Sequence, residues 1–317
     1  MLRKMAYNKI ARASAMLILF LLLLLFPVSK EYSLEVGKVK KTISNEEKTV
    51  YLLDKNDYVS RCKINMSFDK TKEDVQKLIE LLVIDGKYES KIPNGFKPIL
   101  PSDIKINNIK ISEEDVTIDF SSDFNELNNE YDEKALELIV YNLTNIEGIK
   151  NVYINIDGKR LDRLFSSNKV LTQPFNRNFG VNKKYNETSI KNITKTTVYY
   201  VSKNTNGYYY VPVTKVNNDN RDKIKIIVDE LTSSNIYETN LMSLLNYNTK
   251  LNDYNIKDGV LTLNFNKYLF DDINSKKVLE EVIYSLCLSI KDNYDVNEVI
   301  FMVNNKEIAK SGLKDIE

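Results

Sequence analysis

The chain has 317 residues, enough for about two domains of ordinary size, with two cysteines and no histidine. The absence of histidine excludes Ser–His–acid and Cys–His catalysis and nearly all zinc sites. Five of the 45 basic residues and no acidic residue lie in the first 30 positions. The rest of the chain therefore has 40 basic residues against 44 acidic ones. A mildly acidic body of this kind is a poor ligand for nucleic acid.

Residues 1–30 have the pattern of an export signal. Four cations lie within residues 1–12, an apolar run covers 16–28, and the first acidic residue is Glu31. A basic flank before an apolar run places everything after it outside the cytoplasm. The sequence therefore predicts a single-pass protein of the cell membrane with an extracytoplasmic C-terminal body and an uncleaved signal anchor. A cleaved signal peptide with a secreted body is the alternative, and residues 31–47 are predicted to be a linker.

The next segment, 48–161, is predicted to be a small α+β domain. Val75, Leu78, Ile79 and Leu82 lie on one face of an amphipathic helix, and apolar and polar residues alternate over 115–121 as in a half-buried strand. The predicted elements are strands 48–54 and 58–66, helix 73–84, strands 103–111 and 115–121, helix 132–145 and strand 151–156.

Residues 162–195 are predicted to connect this domain to a second copy of it, 196–310, which precedes a tail at 311–317. Five elements recur in the same order at offsets of 143 to 149 residues, and loop insertions explain that drift. The second set is strands 196–203 and 207–216, helix 221–233, strands 251–257 and 259–265, helix 274–291 and strand 298–304. Asn-Gly at 206–207 and Asp-Gly at 157–158 and 258–259 indicate hairpin turns. The predicted fold class is thus α+β, with two tandem ββαββαβ-type domains whose helices pack on one face of a sheet.

Cysteines and acidic clusters give weak functional signals. Cys62 and Cys287 lie in apolar periodic segments and are predicted to be unpaired core thiols, with a disulfide as the alternative. The acidic residues at 113–115 are interpreted as a solvated turn, and Asp271-Asp272 as charge at a helix N-terminus. Asp119 is interpreted as an outward strand residue, because the second copy has Asn264 there. We therefore expect no catalytic, cofactor-binding or metal-binding residue.

Tyrosines are concentrated on two adjacent predicted strands of the second copy. Sheet packing is the common reason for tyrosine in strands. However, alternate residues of a strand face opposite sides, and tyrosine is frequent at protein interfaces. The candidates for a partner interface are therefore Tyr199, Tyr208, Tyr209 and Tyr210.

Several of these segments resemble the GerMN domain of GerM-like sporulation and germination proteins. The resemblance covers about residues 48–310 and is carried by 116–124, 146–159, 197–215 and 258–265, together with the Pro-Phe-Asn-Arg run at 174–177 and Val181-Asn182 in the connector. The first copy departs from the pattern, because Arg61-Cys62-Lys63-Ile64 stands where the second has Val-Pro-Val-Thr. No cysteine follows the apolar run, so the lipid anchor of some relatives is missing.

The resemblance implies a non-enzymatic envelope protein of sporulation, also linked to germination, without a cofactor. Proteins of this kind bind protein partners to assemble or stabilise the channel between mother cell and forespore, and their domains resemble ring-building modules, so an oligomeric ring is an open expectation. The alternatives are a peptidoglycan-binding module that assists a wall enzyme, since outward tyrosines stack on sugars, and a hydrolase that uses only carboxylates.

Overall fold

The computed structural model describes residues 47–68, 72–233, 240–274 and 276–313. The predicted export signal at 1–30 and nearly all of the linker at 31–47 lie outside these ranges. Within them, no helix combines the length and apolar character needed to cross a bilayer.

The α+β class and the tandem duplication are confirmed. The first copy contains strands β1 to β7 and helices α1 and α2. They are β1 (Glu47–Asp54), β2 (Val59–Asn65), α1 (Lys72–Glu80), β3 (Phe96–Lys97), β4 (Ile106–Ser112), β5 (Asp115–Phe120), α2 (Asp132–Leu143), β6 (Asn151–Ile156) and β7 (Lys159–Arg160).

The remaining described elements belong to the end of the connector and to the second copy. They are β8 (Lys184–Asn186), β9 (Thr194–Asn204), β10 (Gly207–Asn217), α3 (Lys223–Thr232), β11 (Leu251–Lys257), β12 (Val260–Phe265), α4 (Glu280–Asn293), β13 (Glu298–Val303) and β14 (Lys306–Gly312). The short strands β3, β7 and β8, and the longer strand β14, were not predicted from the sequence.

In the described ranges, the strands of each copy divide between two sheets. The first copy has the strand orders β2-β1-β3 and β4-β5-β6-β7, and the second has β8-β10-β9 and β11-β12-β13-β14. A helix side chain binds the backbone of the first sheet: Asn142 on α2 accepts from Tyr51 N at 2.9 Å and donates to Tyr51 O at 2.8 Å. Ser289 on α4 likewise accepts from Tyr199 N at 2.9 Å. Helix side chains thus bind the backbone of β1 at Tyr51 and of β9 at Tyr199, and β3 pairs with β1 farther along, at Leu53 and Asp54.

Two of the three predicted hairpin turns have their predicted central residues; in the β9–β10 hairpin the two-residue loop is Thr205-Asn206, because Gly207 already pairs with Asn204. Asp258 and Gly259 have φ values of 52° and 76° between β11 and β12, and Asp157 and Gly158 have 46° and 75° between β6 and β7. Left-handed backbone at both central positions matches the twist of the flanking strands. Asp119 Oδ1 accepts from Gly158 N at 2.8 Å, and Asn264 Oδ1 accepts from Asn305 N at 3.0 Å at the equivalent turn. Asp119 and Asn264 thus share the role of acceptor at equivalent turns, and the Asn264 amide additionally donates to Asp253 Oδ2 at 2.8 Å and to Asn305 Oδ1 at 2.6 Å.

The connector packs as part of the first copy. Leu164, Leu171, Phe175 and Val181 belong to its hydrophobic core. Phe175 and Val152 exchange two backbone hydrogen bonds of 2.8 Å, which adds the connector to the edge of β6. The connector has no hydrophobic periodicity in its sequence, yet it packs against the first domain from Leu164 to Val181.

The structure tests the predictions for the start of the last helix, for the two acidic clusters and for the cysteines. Helix α4 begins at Glu280 rather than 274, so the interpretation of Asp271-Asp272 as helix N-terminal charge is wrong. These aspartates lie in a loop, where Asp271 N donates to Lys277 O at 2.9 Å. Of the acidic residues at 113–115, Glu113 and Glu114 lie in an exposed turn as predicted, whereas Asp115 begins strand β5 and is half-buried. Both cysteines are buried and unpaired, which confirms the core-thiol prediction.

Candidate interaction site between the two copies

Two tyrosines at equivalent positions meet where the copies pack together. Tyr51 on β1 and Tyr199 on β9 are 148 residues apart, and their phenol oxygens lie 3.0 Å apart. Tyr199 Oη donates to Asp292 Oδ2 at 2.8 Å, so the proton between the two phenols comes from Tyr51. Both rings are at most 2 % exposed. The contact therefore lies inside the protein and not on its surface.

Arg177 of the connector completes this buried junction. Its guanidinium lies 3.3 Å from Tyr51 Oη, 3.5 Å from the Asp292 carboxylate and 4.2 Å from the centroid of the Tyr141 ring. It also donates to Thr144 Oγ1 at 2.8 Å. Burial alone would lower the pKa of Arg177, but the charges of Tyr51 and Asp292 raise that pKa well above its usual value. Burial, followed by the charge of Asp292, raises the pKa of Tyr199.

Asn182 forms a second bridge between the copies. Its side-chain amide accepts from Val59 N at 2.9 Å and donates to Val59 O at 2.8 Å and to Pro212 O at 2.7 Å. Its φ of 45° is left-handed backbone, which asparagine tolerates better than most residues. The connector thus joins β2 of the first copy to β10 of the second through one carboxamide.

A third bridge centres on Asp54 and Tyr209. Tyr209 Oη donates to Asp54 Oδ2 at 2.9 Å and accepts from Ser202 Oγ at 3.0 Å. Burial raises the pKa of Tyr209 to about 12, with a further increase from the charge of Asp54. The Tyr209 ring also meets Phe96 of β3 edge-on, with centroids 5.1 Å apart. Aromatic packing and a charged hydrogen bond therefore act on the same side chain.

Beside these bridges lies a groove of about 440 Å³ that both copies line. The first copy contributes Glu47, Thr49, Arg61, Cys62, Lys63, Pro93 and Phe96, and the second contributes Asn204, Asn206, Tyr208, Tyr209, Tyr210, Glu280 and Tyr284. Consecutive residues of a strand face opposite sides of its sheet. A groove that touches 61–63 on β2 and 208–210 on β10 therefore lies against the edges of these strands rather than against a face.

The aromatic wall of the groove comes from β10 and α4. The rings of Tyr210 and Tyr284 stack with centroids 5.8 Å apart and an interplanar angle of 17°. Burial, and then the charge of Glu281, raises the pKa of Tyr210. Glu280 and Tyr284 are one helical turn apart, so both reach the groove from α4. The wall is suited to an apolar or aromatic group.

The four candidate tyrosines have different environments. Tyr208 is 47 % exposed at the groove, Tyr210 is half-buried, and Tyr209 is 7 % exposed. Tyr199 is 1 % exposed. The expectation of an outward Tyr199 is wrong because its side of β9 is covered by Tyr51 and Asp292 of the junction. Three of the four therefore line one groove, and the fourth joins the two copies.

Tyr284, Phe96 and the charged lining of Glu47 and Glu280 were not predicted from the sequence. Tyr284 carried a usable signal, because it lies off the apolar face of the predicted helix 274–291. Phe96 carried none, since it lies in a two-residue strand within a loop. Groups of three or more His, Cys, Asp or Glu placed to hold a metal ion do not occur among the described residues. Burial raises the pKa of the Cys287 thiol to about 12, which makes it a poor nucleophile.

Comparison with known proteins identifies relatives over the whole described body. A family model described as "Germane: Sporulation and spore germination" matches residues 49–162 and again 197–309. The chain is 30 % identical over 280 residues to "Spore germination protein GerM" of Bacillus subtilis (strain 168), which covers 86 % of this chain and 75 % of that protein. It is also similar to the solved structure "Tandem GerMN domains of the sporulation protein GerM from Bacillus subtilis". That match has a TM-score of 0.74 and 28 % identity, and covers 82 % of this chain and 92 % of the other.

Proposed function

Because the chain belongs to the Germane family of sporulation and spore germination proteins, with two tandem GerMN domains, we propose that it is a non-enzymatic envelope protein that binds protein partners. In this proposal the partners belong to the sporulation envelope, and the protein assembles or stabilises the channel between mother cell and forespore. Its apolar N-terminal segment tethers it to the cell membrane, and its tandem body is extracytoplasmic.

The observation that carries this proposal is the groove that both copies line, with Tyr208, Tyr209 and Tyr210 along one strand. Tyrosine supplies a large apolar surface and a polar tip at little entropic cost, which is why it is common at the centres of interfaces. The groove is bounded by two domains held together at Arg177 and Asn182, so its walls are fixed before a partner arrives. A preformed site loses less free energy on binding.

The test is a pull-down from sporulating cells with the full chain, solubilised in detergent, as bait. We expect channel or engulfment proteins to be enriched, and we expect a strain that lacks the protein to recruit these components less well. Unaltered recruitment in the deletion strain would contradict the proposal.

A peptidoglycan-binding role is the second candidate. The exposed ring of Tyr208 lies in the same groove as the carboxamides of Asn204 and Asn206 and the carboxylate of Glu280. An aromatic face with amide and carboxylate groups around it suits a sugar ring. Co-sedimentation of the full chain with purified cell wall, without any protein partner, would favour this role over the first.

A further inference from the structure

Strand β10 has two different edges. One edge pairs with β9 along the whole strand, from Gly207 to Asn217. The other is covered only towards its C-terminal end, where β8 pairs with Lys215–Asn217, Thr214 N donates to Val181 O at 2.8 Å, and Asn182 donates to Pro212 O at 2.7 Å. From Gly207 to Val211, no strand of the described ranges pairs with this second edge.

The contacts of Pro212 and Thr214 fix which backbone groups point away from β9. Backbone direction alternates along a strand, so Tyr208 and Tyr210 are in phase with residues 212 and 214. Their N–H and C=O groups therefore point towards the groove. Pro212 fits the same phase, because proline is tolerated in a strand where its missing N–H would face outward from the sheet edge.

Asn182 shows what kind of group fits beside this edge. Its carboxamide is chemically a peptide group, and it lies between Val59 of β2 and Pro212 of β10, hydrogen-bonded to both strands. The groove begins farther along the same two strands, at 61–63 and 208–210. A peptide-like group is thus already accommodated at the position next to the open part of the edge.

We infer that an extended segment of a protein partner adds to the open edge of β10, with its backbone hydrogen-bonded to Tyr208 and Tyr210. This inference rests on the proposed partner-binding function and specifies the form of the partner. Strand addition takes its affinity from main-chain hydrogen bonds and its specificity from side-chain pockets. An alternating row of donors and acceptors matches the repeat of a polypeptide rather than that of a glycan.

The lining indicates the side chains of that segment. Glu47 and Glu280 balance Arg61 and Lys63, so the groove has no net charge to attract a charged segment. The stacked pair of Tyr210 and Tyr284 offers an apolar surface. The segment therefore places an uncharged apolar or aromatic side chain against these rings.

The test uses the full chain in detergent micelles and a phage-displayed library of random twelve-residue peptides. Selected peptides are measured by fluorescence anisotropy against the wild type, Tyr210→Ala and Tyr210→Pro. The alanine variant keeps the N–H of residue 210, whereas the proline variant removes it without touching the pairing with β9. We expect Tyr210→Pro to bind about tenfold more weakly than Tyr210→Ala, the loss of one backbone hydrogen bond.

Amide hydrogen exchange on the wild type gives a second measurement that does not depend on either variant folding. A bound peptide should slow exchange at the N–H groups of Tyr208 and Tyr210. Equal affinity of the two variants without such protection would overturn the inference, and so would a library that yields no peptide bound in the groove. A third outcome would also overturn the inference: a disaccharide-tetrapeptide displaces the peptides from the groove but does not slow exchange at the N–H groups of Tyr208 and Tyr210. The groove would then be a glycan-binding site.

The pull-down separates this inference from the function on which it rests. If Tyr210→Pro enriches the same envelope proteins as the wild type, edge pairing is wrong and partner binding stands. If the wild type itself enriches no envelope protein, the proposed partner-binding function is wrong.

Discussion

The Arg177 side chain holds the positive charge of the buried junction, and Asp292 holds the negative one, with side chains 22 % and 8 % exposed. Removal of one partner from a buried ion pair leaves the other charge uncompensated, which costs about 3–5 kcal/mol. We therefore predict that Arg177→Met lowers the free energy of unfolding by that amount, as measured by urea denaturation. The double variant Arg177→Met with Asp292→Asn should recover much of the loss.

Arg221 provides the control for this substitution. It pairs with Asp219 and Asp229, but its side chain is 54 % exposed. Exposed ion pairs contribute about 0–1 kcal/mol. If Arg221→Met lowers the free energy of unfolding as much as Arg177→Met does, the buried ion pair contributes no more to stability than an exposed one.

The phenols of the junction predict a loss of stability in alkali. The pKa values of Tyr141 and Tyr199 in the folded protein are raised well above the usual 10.0, first of all by burial. Groups with raised pKa values stabilise the fold fully below the unfolded pKa and lose that contribution as the pH rises above it. The free energy of unfolding should therefore fall as the pH rises above 10.

Tyr199→Phe should make that alkaline decline shallower, although the variant is less stable at neutral pH because it lacks the hydrogen bond to Asp292. Tyr208→Phe, whose ring is 47 % exposed, should retain the wild-type slope. Urea denaturation at a series of pH values measures both. The same slope in the wild type and in Tyr199→Phe would exclude Tyr199 as a source of the decline.

At the scale of elements, Asn182 joins β2 to β10. Asn182→Asp keeps the size and the tolerance of left-handed φ, but it turns two donated hydrogen bonds into contacts between a carboxylate and two carbonyl oxygens. A buried acceptor without its donor costs about 1–3 kcal/mol. We predict a loss of at least about 2 kcal/mol in the free energy of unfolding, measured by urea denaturation.

Asn186→Asp, an exposed change on β8, is the matched control and should alter the stability little. Wild-type stability of Asn182→Asp would show that the two donated hydrogen bonds contribute nothing to the packing of β2 against β10.

Elements with strong periodicity were predictable from the sequence, and elements set by tertiary contacts were not. The strand at 151–156 matches β6, and 251–257 matches β11. Helix α4 begins six residues later than predicted, because a bridge between Asp272 and Lys277 closes a loop before the helix. Strand β3 has two residues and exists only through its pairing with Leu53 and Asp54, which no local pattern reports.

The same limit applies to the candidate site. Tyr208, Tyr209 and Tyr210 were predictable as an aromatic cluster, since composition alone marks them. The burial of Tyr199 was not, because it depends on a contact with Tyr51 on a strand 148 residues away. Arg177 and Asn182 belong to a recognisable motif, but only the packing of both copies shows what these side chains contact.

At the scale of the whole molecule, the junction and the connector predict that both copies unfold together. Phe96 and Tyr58 of the first copy pack against the hydrophobic core of the second, in addition to the bridges at Asp54, Arg177 and Asn182. Far-ultraviolet circular dichroism and tyrosine fluorescence should therefore report one coincident transition in urea. In Arg177→Met we expect the two signals to separate. Separate transitions in the wild type would mean that the copies behave as independent domains.

We propose that the groove lined by both copies binds a protein partner, and this can be tested in cells. The most direct measurement replaces Tyr208 with the photo-cross-linker p-benzoylphenylalanine in the full-length protein of sporulating cells, with the same replacement at Tyr247 as control. Tyr247 is 78 % exposed and does not line the groove. We expect a discrete protein adduct from position 208 and none from position 247. Adducts with cell-wall fragments only, or equal adducts from both positions, would contradict it.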